Sequence, residues 1–188
     1  MRLTEKAHEQ VAGVLGEGEL ALDATAGNGH DSLWLARSVG ATGHVWAMDV
    51  QPEAVASTRK RLQEAGLEER VSLLEASHAD MEQFLPARAR EALAAVMFNL
   101  GYLPGSDRRI VTHSQTTLPA LDAALRSLKP GGILSLMVYR GHEGGQQEWE
   151  AIRSWLASCP MRHELFGDDG GVRTSPVLVC VFKSGIES

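Results

Sequence analysis

A glycine-rich segment between a short apolar run and a helical pattern is the feature that most constrains the fold of this chain. Residues 23–29 read Asp-Ala-Thr-Ala-Gly-Asn-Gly, after the apolar run 20–22 and before a helical pattern over 30–39. Glycines at such a turn let a ligand approach the backbone, and amides at the helix start then face that ligand. Asp49 ends the next apolar run, 20 residues after Gly29, where a carboxylate can bind ribose hydroxyls. The pattern predicts a nucleoside-cofactor site.

Two cofactors fit a glycine turn with a downstream acid, a dinucleotide such as NAD and S-adenosylmethionine. Ser32 occupies the position of the third glycine in the dinucleotide fingerprint, and Asp23 and Asp31 flank the turn. Two carboxylates would repel a pyrophosphate, whereas they attract the sulfonium and ammonium groups of S-adenosylmethionine. The residues therefore favour S-adenosylmethionine over NAD.

The composition is that of one globular domain, which we expect to span residues 1–188. Hydrophobic residues make up 44% of the chain, and no run approaches the ~18 apolar residues of a membrane span. The first residues are charged and lack an apolar signal core, and Cys159 and Cys180 have no Cys or His neighbours at metal spacing. We therefore expect a cytoplasmic protein without a metal site. The net charge of −6 argues against an extended surface that coats nucleic acid.

Apolar runs alternate with helical patterns, which indicates a parallel α/β sheet. Strands are predicted over 19–23, 44–49, 71–75, 95–99 and 133–139, and helices over 4–15, 30–39, 52–65, 79–91 and 114–128. Residues 129–132, Lys-Pro-Gly-Gly, predict a turn before the fifth strand. After a helix over 146–158, strands over 162–166 and 176–182 predict an antiparallel hairpin at the sheet edge. This is the Rossmann-like architecture of class I methyltransferases, a mostly parallel seven-stranded sheet with helices on both faces.

Polar and glycine-rich segments follow the first five predicted strands, and parallel strands bring their carboxyl ends to one rim. Ser77 and His78 follow the third strand, where His78 is a candidate contact for adenine or ribose. Asn99 closes the fourth strand, and its side-chain carbonyl could accept a hydrogen bond from an amine and align its lone pair with a methyl group. His142, in a glycine-flanked loop after the fifth strand, is the candidate proton acceptor.

The segment after Asn99 predicts contacts with a nucleic-acid substrate. Tyr102 could stack on a base or pack within its loop, and Arg108 and Arg109 in the same loop could contact phosphates. The predicted catalytic residues are therefore Asn99, Tyr102 and His142.

Several motifs together resemble one small bacterial family labelled putative rRNA methylase. They are Asp-Ala-Thr-Ala-Gly-Asn-Gly-His-Asp, Met-Asp-Val-Gln, Ser-His, Phe-Asn-Leu-Gly-Tyr-Leu-Pro-Gly-Ser-Asp and Tyr-Arg-Gly-His-Glu-Gly-Gly, spread over about residues 4–182. Most amine methyltransferases have Asn/Asp-Pro-Pro-Tyr/Phe where this chain has Asn99-Leu-Gly-Tyr102, and that departure matches the family. Its members are understood as tRNA methyltransferases that convert 5-aminomethyl-2-thiouridine at the wobble position to its methylaminomethyl form.

The resemblance implies S-adenosylmethionine as cofactor and the tRNA anticodon stem-loop as partner. The implied cofactor contacts lie in the glycine turn and at the rim: Asp23, Thr25, Gly27, Asn28, Gly29, Asp31, Asp49, Gln51, Ser77, His78 and Asn99. The implied substrate contacts are Tyr102, Arg108, Arg109, Arg140 and His142. A homodimer would enlarge the surface for a stem-loop. Three alternatives stay open at this point, namely a methyltransferase for rRNA or a small molecule, a nucleotide-binding module without catalysis, and an NAD-dependent oxidoreductase.

Overall fold

The computed structural model describes residues 2–101, 111–167 and 175–185, in which strands alternate with helices. The strands are β1 Leu20–Asp23, β2 His44–Asp49, β3 Val71–Glu75, β4 Leu93–Leu100, β5 Leu128–Val138, β6 Arg162–Phe166 and β7 Val177–Phe182. The helices are α1 Leu3–Ala12, α2 His30–Ser38, α3 Pro52–Glu64, α4 Met81–Phe84, α5 Ser114–Ser127 and α6 Gly145–Ser158. Every predicted strand is present, and β2, β3 and β6 have the predicted bounds.

The strands form a seven-stranded sheet in the order β3-β2-β1-β4-β5-β7-β6. Strands β1 to β5 pair in parallel, and β7 runs antiparallel to both β5 and β6. The predicted parallel sheet with an antiparallel hairpin at its edge is thereby confirmed. The strand order reverses between β1 and β4, which creates a crevice at their carboxyl ends, where open α/β sheets bind ligands.

Both faces of the sheet are covered, because side chains of its central strands alternate between two apolar cores. In β4, Val96 and Phe98 pack in one core with α5 and α6, while Ala95 and Met97 pack in the other with α1, α2 and α3. This double burial explains why β4 is apolar along nearly its whole length. Within the described residues, no helix is long and apolar enough to cross a membrane.

The single helix predicted over residues 79–91 is wrong. The segment contains a 3₁₀ turn at His78–Asp80, the short helix α4, and a second 3₁₀ turn at Ala87–Ala89. Pro86 lacks a backbone N–H and disfavours helical conformation in the residue before it, and Leu85 accordingly has a ψ of 126°. The helix therefore ends before the proline.

The turn predicted over residues 129–132 is also wrong, because these residues lie inside β5. The register on β4 shifts between the pairs Leu93↔Leu128 and Ala95↔Ile133, so the intervening residues of β5 form a bulge. Gly131 has a φ of 78°, and its N–H donates to the carbonyl of Lys183 beyond β7 at 3.1 Å. The bulge lies at the amino end of β5, which is the end of the sheet opposite the crevice.

Candidate active site

The glycine turn after β1 lies at the crevice and is held by helix α3. Gly27 and Gly29 have φ values of 53° and 75°, in the left-handed region that glycine tolerates. Thr58 Oγ1 donates to the carbonyl of Gly27 at 3.1 Å, and Arg61 Nε donates to the carbonyl of Asn28 at 2.6 Å. Two carbonyls of the turn are thereby held against α3, which leaves the other side of the turn to face the crevice.

Gly29→Ala is expected to distort this turn and destabilise the protein. A Cβ on Gly29 would lie 2.8 Å from Thr58 Cα and 2.9 Å from Thr58 Oγ1, and a backbone atom cannot rotate away. We expect the free energy of unfolding to fall by about 2–4 kcal/mol, through the left-handed backbone and the overpacking together. Urea unfolding monitored by circular dichroism measures the loss.

Gly66→Ala is the matched control for this variant. Gly66 has a φ of 64°, but no heavy atom of the described residues lies within 4 Å of its added Cβ. The control should lose only the backbone contribution, about 1–2 kcal/mol. Equal losses in the two variants would show that the contact with Thr58 does not constrain the turn.

Asp49, at the end of β2, uses both carboxylate oxygens to hold neighbouring backbone. Oδ2 accepts the N–H of Gly27 at 2.9 Å, and Oδ1 accepts the N–H of Gln51 at 3.0 Å. The carboxylate therefore ties the loop after β2 to the glycine turn. Asp49 is partly exposed, so its remaining lone pairs can accept hydrogen bonds from ligand hydroxyls.

Asp23, at the end of β1, is fully buried and supports the turn from within. Its carboxylate accepts Ser32 Oγ at 2.6 Å and the N–H of Thr25 at 3.2 Å. Burial and the neighbouring charge of Asp31 raise the pKa of Asp23 to about 7. A bound cation would favour the ionised form. Direct contact between Asp23 and a ligand stays a prediction.

Asn99 is joined to the glycine turn and to Asp31 in the first turn of α2. The backbone N–H of Asn99 donates to Thr25 Oγ1 at 2.6 Å, and its side-chain Nδ2 donates to Asp31 Oδ2 at 2.6 Å. Asn99 therefore contacts Asp31 through its amide nitrogen and not through Oδ1. Among the described residues, this oxygen accepts no hydrogen bond, so it is available to a donor on a ligand.

The second oxygen of Asp31 contacts a histidine from α1. His8 Nε2 lies 2.7 Å from Asp31 Oδ1, and its ring stacks on Trp34 with 4.1 Å between ring centroids and an interplanar angle of 7°. Burial opposes ionisation of Asp31, but the hydrogen bonds from His8 and Asn99 outweigh it and lower the pKa of Asp31. The site therefore holds a carboxylate directly beside Asn99.

Ser77 and His78 follow β3 at the same rim. Ser77 Oγ accepts the N–H of Ala79 at 3.2 Å and caps the 3₁₀ turn. Burial lowers the pKa of His78 to about 4, although its hydrogen bond to the backbone of Ala24 acts in the opposite direction. Its Nε2 is buried without a hydrogen-bond partner among the described residues. In a neutral ring this nitrogen can accept a hydrogen bond.

The loop after β5 brings Tyr139 and His142 against the end of β4. A Cβ on Gly101 would lie 3.2 Å from Tyr139 Cβ and 3.7 Å from His142 Nε2. Burial and the charge of Asp31 raise the pKa of Tyr139, so the phenol lies within electrostatic reach of Asp31. His142 Nδ1 lies 2.9 Å from the carbonyl of Glu143 and donates to it. The predicted proton acceptor therefore lies beside the end of β4.

Arg140 is buried, with 8% of its surface exposed, and ties the same loop to its neighbours. Its Nε donates to the carbonyl of Ser175 at 2.7 Å, and its guanidinium lies 5.8 Å from the ring centre of Trp149 on α6. These contacts hold the loop after β5 to α6 and to the residues before β7. The predicted contact of Arg140 with a substrate stays a prediction.

Tyr102, Arg108 and Arg109 lie outside the described residues, so their roles stay predictions. The residues on either side of this segment are tied together, because the N–H of Thr112 donates to the carbonyl of Gly101 at 3.0 Å. Thr112 Oγ1 also donates to the buried carboxylate of Glu148, at 2.7 Å.

Two residues of this site were not predicted from the sequence. His8 lies in a helix before the glycine turn, and no local motif marks it. Tyr139 is the first residue after β5, so the rule that ligands bind beyond strand ends could have singled it out.

Comparison with known proteins identifies the family. The family model described as Putative rRNA methylase matches residues 45–165. A tRNA (mnm(5)s(2)U34)-methyltransferase, chloroplastic, from Arabidopsis thaliana is 44% identical over 192 residues, which cover 97% of this chain and 69% of that protein. The chain belongs to this methylase family.

Crystal structures of similar proteins support the same family and fold. A putative rRNA-methylase from Clostridium thermocellum shares 34% identity at a TM-score of 0.90, with 96% of each chain covered. A putative methyltransferase from Streptococcus mutans, in complex with SAH, shares 31% identity at a TM-score of 0.86, covering 97% of this chain and 98% of that one. The methyltransferase fold and the family predicted from the sequence are therefore confirmed.

Proposed function

We propose that this protein is an S-adenosylmethionine-dependent methyltransferase that N-methylates 5-aminomethyl-2-thiouridine at the wobble position of tRNA. The observation that carries the proposal is Asn99, which Asp31 holds at the crevice next to the glycine turn with its side-chain oxygen available. The relative from Arabidopsis, 44% identical, supports the tRNA acceptor, and the SAH complex of the Streptococcus protein supports the cofactor.

The polar groups around the glycine turn fit S-adenosylmethionine. Asp49 offers lone pairs for ribose hydroxyls. Nε2 of His78, which has no hydrogen-bond partner in the described part of the chain, suits the exocyclic amine of adenine. Asp31, whose pKa is lowered, supplies negative charge beside a cationic ligand. When bound, S-adenosylmethionine supplies a methyl group from its sulfonium, and the rest of the donor leaves as a neutral thioether. The proposed cofactor contacts remain Asp23, Thr25, Gly27, Asn28, Gly29, Asp31, Asp49, Gln51, Ser77, His78 and Asn99.

The acceptor amine must lose a proton before its lone pair can attack, because a simple alkylamine is mostly protonated near neutral pH. Partial desolvation in the crevice lowers the pKa of such an amine. Asn99 Oδ1 can accept a hydrogen bond from one of the remaining N–H groups of the amine and thereby align the lone pair of the nitrogen. His142 Nε2, beside Gly101, is the proposed acceptor of the released proton.

Nucleoside analysis of methylated tRNA tests the proposed function. The purified protein is incubated with S-adenosylmethionine and tRNA that carries 5-aminomethyl-2-thiouridine, and the digested nucleosides are resolved by mass spectrometry. We expect conversion to the methylaminomethyl form. The matched control is the same tRNA without the aminomethyl group, which should gain no methyl group.

Two other outcomes would replace the proposal. A methyl group gained by rRNA while the aminomethyl nucleoside stays unchanged would move the substrate to rRNA, as the family description suggests. Binding of S-adenosylmethionine without methylation of any RNA pool would indicate a nucleotide-binding module. A homodimer, a cytoplasmic location and a single domain over residues 1–188 stay predictions.

A further inference from the structure

His8 reaches the site from outside the elements that form the crevice, and its position is tightly determined. Its neighbours on α1, Ala7 and Val11, are buried in the core that also contains Leu35 of α2. The ring stacks on Trp34, which lies three residues after Asp31 and therefore on the same side of α2. Packing and stacking together hold the imidazole against the Asp31 carboxylate.

A chain of two short hydrogen bonds joins His8 to Asn99 through Asp31. The distances are 2.7 Å from His8 Nε2 to Asp31 Oδ1 and 2.6 Å from Asn99 Nδ2 to Asp31 Oδ2. Hydrogen bonds to an ionised carboxylate are shorter and stronger than neutral ones. With one oxygen held by His8, the carboxylate plane cannot turn freely, and its other oxygen stays in place for Nδ2.

We propose that His8 is a positioning residue for methyl transfer, which acts through Asp31 to hold the Asn99 amide with Oδ1 toward the acceptor amine. The inference rests on the proposed function of Asn99. His8 itself touches neither the cofactor nor the acceptor in this assignment. Its contribution is to keep Asp31 ionised and fixed in orientation. The Asn99 amide then cannot flip by about 180°, which would swap the positions of Oδ1 and Nδ2.

The pH dependence follows from the charges around Asp31. The groups that act on it are His8 of α1, Asn99 of β4, His30 of its own helix, Asp23 of β1 and Tyr139 after β5. The hydrogen bond from His8 is among the causes that lower the pKa of Asp31. Removal of that bond lets Asp31 protonate at a higher pH. In a variant without this hydrogen bond, the decrease of kcat on the acidic side of the pH profile should therefore begin at a higher pH.

Two substitutions separate the hydrogen bond of His8 from its ring. His8→Phe keeps a ring for Trp34 and loses the hydrogen bond, whereas His8→Gln keeps an N–H donor and loses the ring. We expect His8→Phe to lower kcat by about 10-fold to 100-fold, the range for a hydrogen bond to a charged group, with KM and donor affinity within about twofold of wild type. His8→Gln should restore most of kcat and shift the acid limb of the kcat profile back toward that of wild type, because it restores the hydrogen bond but not the charge of His8.

His44→Phe is the matched control. His44 also packs against a tryptophan, Trp46, with 4.8 Å between ring centroids, and its Nε2 lies 2.9 Å from Ser72 Oγ. It begins β2, at the end of the sheet opposite the crevice. The control should keep wild-type kcat. A His8→Phe variant that keeps kcat within twofold, or a His8→Gln variant that loses as much as His8→Phe, would overturn the proposal.

A second measurement does not depend on methyl transfer. The chain contains two asparagines, Asn28 and Asn99, so asparagine-selective ¹⁵N labelling yields two side-chain amide signals. We expect His8→Phe to shift the Asn99 signal and speed its exchange with solvent, with Asn28 as the internal reference. An unchanged Asn99 signal would reject the role of His8, whereas a wild-type protein that methylates no tRNA would reject only the proposed function.

Discussion

Asn99→Ala is expected to lower kcat for methyl transfer by about 100-fold or more, while the affinity for S-adenosylmethionine stays within about threefold of wild type. The substitution removes Oδ1, which would align the acceptor amine, and leaves Asp31 Oδ2 without its donor at 2.6 Å. The glycine turn should survive, because it is the backbone N–H of residue 99 that donates to Thr25 Oγ1. Transfer and donor binding therefore depend on different atoms of the same residue.

Single-turnover rates on tRNA and calorimetric titration with S-adenosylmethionine measure these two effects separately. A loss of kcat without a matching loss of donor affinity marks an interaction that aligns the acceptor. Comparable losses of donor affinity and kcat would contradict this role of Asn99.

Asp49→Ala should show the opposite pattern, with donor affinity reduced by about 100-fold and kcat at saturating donor within a few-fold of wild type. Hydrogen bonds to a charged group contribute about 1.5–3 kcal/mol each, and the variant would lose the proposed ones to the ribose hydroxyls. It also leaves the N–H groups of Gly27 and Gln51 without their carboxylate partner. We therefore expect an additional loss of about 1–3 kcal/mol in the free energy of unfolding.

Glu75→Ala is the control for this variant. Glu75 ends β3, pairs in register with Asp49 and is exposed, so it matches Asp49 in strand position and charge. Its removal should leave the calorimetric affinity for S-adenosylmethionine unchanged. If Asp49→Ala bound the donor as tightly as Glu75→Ala does, the carboxylate of Asp49 would have no part in cofactor binding.

The fold was predictable from the sequence wherever the signal was local. Strands β2 and β3 end at Asp49 and Glu75, β6 is followed by Gly167, and the predicted bounds of all three match the structure. The predictions for residues 79–91 and 129–132 were wrong because a proline interrupts the first segment and a glycine pair lies within a strand in the second. Pro86 shortened a helix, and Gly131 allowed a bulge within β5.

The sequence by itself determined the fold class, the family and the rim at which the polar segments meet, because hydrophobic periodicity and glycine turns act over a few residues. Only the tertiary structure decided which side chains meet at that rim. Hydrogen bonds join His8 to Asp31 and Asp31 to Asn99 across sequence separations of 23 and 68 residues, and Arg140 is buried. Such contacts depend on how α1, α2 and β4 pack together, and no local pattern encodes that packing.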